Sequence, residues 1–337
     1  MKAMVLVKQS AIEERPLELI DLPKPVPEAN QILVKVSVCG ACHTDLDEAE
    51  GRLKPYTLPM VPGHQVVGTV VEKGKAVTKF DVGERVGITW LYWSCGECSF
   101  CRSGRENLCE NAKWTGKDAD GGYAEYMVIS EDFAFSLPEK FSDSQAAPLL
   151  CAGVIGYRTL RLAEISDGEN IGLIGFGASA HIVIQIIKYK YPKSDVYVFT
   201  KTAEHAELAK SLGAIWTGLS GEKPPTKLNK IMDFTPVGEC VRDGLAVLDR
   251  GGRLVINAIR KETPVPPLEY AEYLWLEREI KSVANVTSRD GKEFLPLAGQ
   301  IPILPTIEEF PLTEANEVLL AIKHSKLRAA AVLRISG

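Results

Sequence analysis

The chain has 337 residues, 45% apolar and 25% charged, with a formal net charge of −5 and a pI near 5.7. That length predicts two domains, each with its own core, and the acidic balance without a dense basic run excludes a general nucleic-acid binder. The most apolar stretch, 171–187, is interrupted by Gly172, Gly175, Gly177, Ser179, His181 and Gln185, so no membrane span is expected.

In chain order, the N-terminal run Met1-Lys2-Ala3-Met4-Val5-Leu6-Val7 reads as a strand and lacks the charged start, long apolar stretch and cleavage site of a secretion signal. The short β-branched runs 4–7, 17–22, 32–38, 66–72 and 85–89 are separated by Pro23, Pro25, Pro27, Pro59, Pro62, Gly74 and Gly83, a spacing that predicts a barrel-like all-β unit. The run 32–38 leads into Cys39-Gly40-Ala41-Cys42-His43-Thr44-Asp45, placing these residues where a strand gives way to a loop or helix. Cys-x-x-Cys alone fits redox chemistry, half of a metal site, or packing. Pro62-Gly63-His64-Gln65 adds a histidine after a turn, which taken alone is more often a surface or packing residue than a ligand.

Four thiols then fall in fifteen residues, Cys95-x-x-Cys98-x-x-Cys101-x7-Cys109. This spacing predicts a tetrahedral zinc knot that staples loop 95–109. The competing iron–sulfur reading is disfavoured because the bacterial cluster run ends in x3-Cys-Pro and this one does not. Eight cysteines with four so tightly clustered read as metal chemistry in a reducing, cytoplasmic setting rather than as a secreted disulfide framework. Strand returns near Gly121-Gly122-Tyr123-Ala124-Glu125-Tyr126, and Cys151 lies in an apolar helical stretch, Leu149-Leu150-Cys151-Ala152-Gly153, where it reads as packing. Cys39 and Cys240 also read as buried apolar residues.

The pattern then changes. Strand 170–174 is followed by Gly175-Phe176-Gly177-Ala178-Ser179-Ala180, the apolar helix 182–188, strand 196–199, helix 203–212 closed by Gly213, and strands 231–234 and 253–256. Such alternation predicts a parallel sheet with helices on both faces. G-x-G-x-x-A between strand and helix is a dinucleotide fingerprint: Gly175 for the tight turn, Gly177 for close approach to a diphosphate, and the helix N-terminus for amide donors, with Ala180 in place of the third glycine. Beyond about residue 285 the alternation stops. Strands 308–310 and 331–335 flank helix 314–323 and are expected to return to the first domain.

Taken together and in this order, Cys42-His43-Thr44-Asp45, Gly63-His64, the four-cysteine loop, Leu-Leu-Cys151-Ala-Gly and Gly175-x-Gly177-x-x-Ala180 resemble the zinc-dependent alcohol dehydrogenases of the medium-chain dehydrogenase/reductase family. The resemblance implies a GroES-like β-barrel catalytic domain, here 1–152 and 287–337, around a doubly wound Rossmann dinucleotide-binding domain, 153–286. It implies two zinc ions per chain: a catalytic ion on Cys42, His64 and Cys151 with an open fourth position, and a closed structural ion on Cys95, Cys98, Cys101 and Cys109. It also implies small-molecule alcohol or carbonyl substrates and a homodimer or homotetramer. Zinc would act as a Lewis acid, Thr44 would accept the substrate proton, Asp45 would orient a ligand imidazole, and His43 would meet the cofactor diphosphate. By resemblance Trp90 falls in the substrate pocket, and Trp114, which also flanks the zinc loop, is assigned there with it, against ordinary packing.

Three positions depart from the family. Gln65 stands where a glutamate often follows the ligand histidine. Asp47 stands where a histidine often completes the proton relay; it is carried as a catalytic position, and the sequence does not fix the relay's exit beyond Thr44. Thr200 followed by Lys201 stands where NAD-specific members place an acid at the end of the second Rossmann strand, so both NAD and NADP are expected to bind, with NADP slightly favoured. Two other functions fit parts of the pattern: a zinc-independent double-bond reductase of the same superfamily, and a non-catalytic zinc-knot or redox-sensing protein.

Overall fold

The chain divides into two units, one of Met1–Cys151, Asn285–Gln300 and Leu304–Gly337 and one of Ala152–Ala284 and Ile301–Ile303. The computed structural model describes residues 1–327 and 329–335; Arg328, Ser336 and Gly337 lie outside the described residues.

The first unit is built on the long strand Gln31–Ala41. Ile32, Leu33, Val34 and Val36 are all fully buried, because this strand is covered on both faces. It pairs antiparallel with Gln65–Lys73, with Tyr126–Ser130 and with Ala330–Arg334. Among the described residues these belong to a seven-stranded mixed sheet that also takes in Arg85–Ile88, Ala134–Ser136 and Ile307–Pro311. Val66, Val70, Val86, Ile88, Met127 and Ile129 complete its core. Each such side chain contributes roughly 1.5–3 kcal/mol on burial, so the sheet is a stiff base for the segments at its edges. Two of those segments matter: helix His43–Ala49 starts two residues after the central strand ends, and Gln65 opens the neighbouring strand.

The second unit carries a six-stranded parallel sheet. Its order is Ala214–Gly218, Asp195–Phe199, Asn170–Ile174, Leu228–Asp233, Leu248–Ile256, Glu279–Ser282. The strands thus run third, second, first, fourth, fifth, sixth, which is the doubly wound order. The sheet is apolar on both faces: Ile171, Leu173, Val196, Val198, Ile231, Leu254 and Val255 are fully buried, as expected for parallel strands covered by helices.

Two strands of this sheet go beyond the sequence reading, Ala214–Gly218 and Glu279–Ser282. Both lie at the edges, and Glu279–Ser282 is exposed throughout, so neither carries the apolar run by which a buried parallel strand is read. The helix after strand Asn170–Ile174 begins at Ala178, directly after Gly177, rather than at residue 182. Cys151 does not sit inside a helix. It is the hinge residue between the 3-10 turn Ala147–Leu150 and helix Ala152–Ala163, with φ −122° and ψ −79°.

Candidate active site

Helix His43–Ala49 is capped by a cysteine. Cys42 takes an extended conformation, its Sγ accepts the Thr44 N–H at 3.4 Å, and the Asp45 carboxylate accepts the Cys42 N–H at 2.8 Å. This is the reciprocal capping arrangement, with a thiol in the place of a hydroxyl. It holds Cys42 Sγ in one position and fixes Asp45 beneath it.

Asp45 is fully buried, and its other carboxylate oxygen lies 3.3 Å from Nδ1 of His64, itself 1% exposed. With Nδ1 turned to the carboxylate, Nε2 is 3.5 Å from Cys42 Sγ. Gly63 delivers His64 to this spot: its φ is +96°, and a Cβ there would lie 2.4 Å from the Tyr123 ring, so only glycine fits. Cys151, at the hinge described above, is the third member; ligand atoms of Cys42, His64 and Cys151 all lie within 4.8 Å of one another.

The electrostatics follow from burial. A hydrogen bond from Cys151, helped by the His64 charge and opposed by burial, holds the Cys42 thiol well below the usual range. The same bond, with burial, pushes the Cys151 thiol well up. Burial works against charge on His64, but Asp45 and Cys42 outweigh it and raise the imidazole well above its ordinary value. Metal ligands must be thiolate and neutral imidazole, so a cation taken up here displaces protons.

The donor set fits zinc. A tetrahedron with a Zn–S bond of about 2.3 Å and a Zn–N bond of about 2.0 Å has an S–N edge of roughly 3.5 Å, the separation seen between Cys42 and His64. The four-thiol loop fits as well. Sulfur separations of 3.8, 3.5 and 3.6 Å link Cys95, Cys98, Cys101 and Cys109, against about 3.8 Å for the edge of a Zn–S₄ tetrahedron. Backbone N–H groups of Cys98 and Cys101 donate to the preceding thiols at 3.4 Å, and backbone hydrogen bonds from Glu97 and Cys98 bring the Cys95 thiol down to about 7.

The other residues singled out in the sequence fall as follows. Thr44 is half-buried and His43 exposed in the first turn of the helix. Asp47 is 4% exposed and ion-paired with Arg52. Gln65 packs its side chain over Gly40, where a Cβ would meet Gln65 Oε1 at 2.6 Å, so the amide is a filler of the space that Gly40 leaves. Trp90 stacks between His64 and Trp114, with centroids 5.9 and 5.4 Å apart. Trp93 is exposed, with Lys113 Nζ over its ring. Gly175 has φ +81°, and a Cβ on Gly177 would meet nothing within 4 Å, so the turn has open space for a ligand; Ala180 is fully buried at the start of the helix. Thr200 donates its N–H to Gly218 O at the end of strand Asp195–Phe199, and Lys201 is exposed.

Glu48 and Tyr123 are buried polar residues beside the cluster that the sequence reading did not assign to the site. Glu48 is 1% exposed, and among the described residues neither carboxyl oxygen has a hydrogen-bond partner; burial, then the nearby Asp45 charge, pushes its carboxyl well above the usual range. The Tyr123 hydroxyl is likewise buried and unpartnered. The helical step from Asp45 to Glu48, three residues on one face, was the available signal for the first.

Comparison with known proteins gives the following. The alcohol dehydrogenase GroES-like domain matches residues 28–139. A probable alcohol dehydrogenase, AdhA, of Mycobacterium tuberculosis is 42% identical over 340 residues, spanning 99% of this chain and 97% of that protein. An alcohol dehydrogenase of Geobacillus stearothermophilus is 32% identical over 342 residues, 98% of this chain and 99% of its own. Among solved structures, a cinnamyl alcohol dehydrogenase from Sorghum bicolor shares the fold with a TM-score of 0.85 at 26% identity, covering 100% of this chain and 98% of that one.

Proposed function

The chain belongs to the medium-chain, zinc-type alcohol dehydrogenase family, and from that premise we propose how its residues divide the work of interconverting alcohols with aldehydes or ketones. The observation that carries the proposal is the convergence of Cys42, His64 and Cys151, drawn from three distant segments, on one point. Two thiols and one imidazole would hold a catalytic zinc, which when bound supplies a Lewis acid that lowers the pKa of a substrate hydroxyl. The thiolates of Cys42 and Cys151 balance the dication, and Asp45 fixes the ring of His64. Thr44 accepts the hydroxyl proton at its side-chain oxygen. Asp47, paired with the part-exposed Arg52, is the carboxylate that leads the proton toward solvent. The indoles of Trp90 and Trp114 form an apolar wall beside His64 for the carbon skeleton of the substrate.

Cys95, Cys98, Cys101 and Cys109 would hold a second, structural zinc. Four thiolates complete its coordination and leave no position for substrate. The Gly175–Ala180 turn binds the diphosphate of a nicotinamide dinucleotide, which supplies the hydride chemistry, and exposed His43 is available to the same anionic group. Thr200 and Lys201 favour NADP modestly, because no carboxylate repels a 2′-phosphate and one exposed lysine–phosphate pair contributes about 1 kcal/mol, about fivefold. The protein is proposed to work in the cytoplasm as a homodimer or homotetramer. Support for self-association comes from the exposed edge strand Glu279–Ser282 and the exposed Trp275 and Leu276 that precede it.

The test combines metal analysis with steady-state rates on primary, secondary and aromatic alcohols, each with NAD and NADP. Two zinc ions per chain and turnover on at least one class are expected. A single zinc per chain would favour the double-bond reductase, and failure to bind either nucleotide would favour a non-catalytic zinc protein. Lys201→Ala should weaken NADP about fivefold and leave NAD unchanged; an equal effect on both would make Lys201 a surface charge only.

A further inference from the structure

In the parallel sheet of the second unit the strand order reverses between Asn170–Ile174 and Leu228–Asp233. In open α/β sheets, ligands bind in the crevice beyond the carboxyl ends of such a strand pair. Both strands end there in register, Ile174 beside Asp233. Behind the Gly175 turn stands Thr235, whose Cγ2 would lie 2.8 Å from a Cβ on Gly175.

Asp233 is a fully buried carboxylate at this point. Its Oδ1 accepts the Thr235 N–H at 2.9 Å and the Thr235 hydroxyl at 2.7 Å. Its Oδ2 accepts from Lys261 Nζ at 2.5 Å, and the same ammonium donates to the Thr235 carbonyl at 2.7 Å. Lys261 arrives on the segment after strand Leu248–Ile256, which is anchored by the Asn257 N–H donating to Asp233 O at 2.8 Å. One cation therefore closes a ring of contacts that joins two strand ends. A buried carboxylate has the wrong sign to stand behind a diphosphate. Left unpaired it would repel the anion, and the Lys261 donation that holds the Thr235 carbonyl would be lost with the pair.

We propose that Lys261 is a positioning residue for the dinucleotide. Its ion pair with Asp233 cancels the carboxylate at the strand reversal and, through Thr235, fixes the wall behind Gly175. Its loss weakens NAD and NADP alike, in contrast to Lys201, whose loss touches NADP alone. The inference rests on the reading that the Gly175–Ala180 turn holds the cofactor.

The test titrates the full-length enzyme with NADH and NADPH by calorimetry, alongside cofactor KM and kcat. Lys261→Met should raise Kd and KM for both nucleotides about tenfold or more and leave kcat at saturating cofactor within about twofold. Lys261→Arg should bind as wild type. Lys261→Gln, which keeps a donor without the charge, should show the same loss and serves if the methionine variant does not fold. Adding Asp233→Asn to Lys261→Met removes the unpaired charge and should recover most of the affinity, a rescue that simple packing would not give. Wild-type affinity in both Lys261→Met and Lys261→Gln, or no recovery in the double variant, would overturn the proposal. Wild-type protein that binds neither nucleotide would instead overturn the cofactor reading, and the proposal with it.

Discussion

The two thiol clusters of the first unit are made in opposite ways. Cys95, Cys98, Cys101 and Cys109 come from fifteen consecutive residues, three of them half-buried, and are braced by their own backbone N–H groups. Cys42, His64 and Cys151 come from segments up to 109 residues apart, and each needs a different device: a helix cap, a glycine turn and a hinge between a 3-10 turn and a helix. The local cluster is saturated with sulfur, its thiols set against one another. Among the described residues the assembled cluster has three donors, a buried carboxylate against its imidazole, and a second buried carboxyl, Glu48, close by. A loop can gather metal-ligating side chains by itself; the assembled cluster borrows its rigidity from the sheet and its charge from distant residues.

Four experiments would break or sharpen this contrast. The largest effect is expected for Cys151→Ala, which should lose one zinc and lower turnover by roughly 10³-fold, as expected when a Lewis acid contributing about 4 kcal/mol is removed. The circular dichroism of the folded chain should persist, and near-normal activity would mean that Cys151 is packing only. Next comes Thr44→Val, which should cut alcohol oxidation by ~10²-fold or more while both metals stay bound. An unchanged rate at neutral pH would assign the proton to another group.

Cys98→Ser should separate the clusters in the other direction. Its metal loss should lower the thermal midpoint by roughly 5–10 °C, corresponding to about 2–3 kcal/mol in a domain of this size, while turnover per folded chain stays within about twofold. A loss of activity equal to that of Cys151→Ala would end the distinction between the sites. The smallest effect concerns Glu50, which ends the Cys42-bearing helix. Burial opposes its charge, but hydrogen bonds from Lys323, the Ile12 N–H and Arg52 hold its carboxyl down to about 2. The folded pKa is depressed, so this stabilisation is present above the unfolded value near 4.5 and is lost as pH falls toward 2. Wild type should therefore be more stable than Glu50→Gln at neutral pH, with the gap closing between about pH 4.5 and 2; a pH-independent gap in acid unfolding curves would refute the assignment.

How much of this was legible beforehand depends on the range over which each feature is encoded. The four-cysteine loop and the Gly175–Ala180 turn are local: a spacing of thiols, or of glycines after an apolar strand, states its own geometry. The central strands were legible because their β-branched runs are buried. Glu279–Ser282 was not, because an exposed edge strand carries no apolar pattern. Asp45 could be read as a partner of a ligand imidazole only through resemblance, since nothing in residues 42–48 says that His64 will arrive 3.3 Å away.

Gln65 and Lys261 mark the limit from the other side. In sequence, Gln65 is a missing carboxylate and Lys261 one of many lysines. In the fold, Gln65 fills the space above Gly40, and Lys261 neutralises a buried aspartate behind the nucleotide turn. The sequence by itself determined the donor types, the two architectures and the turn chemistry, because these depend on neighbours within a few residues. Only the tertiary structure decided which thiols meet which imidazole, which carboxylates are buried and which cations answer them. Desolvation and charge pairing are set by the distance between groups in space, and chain separation does not fix that distance.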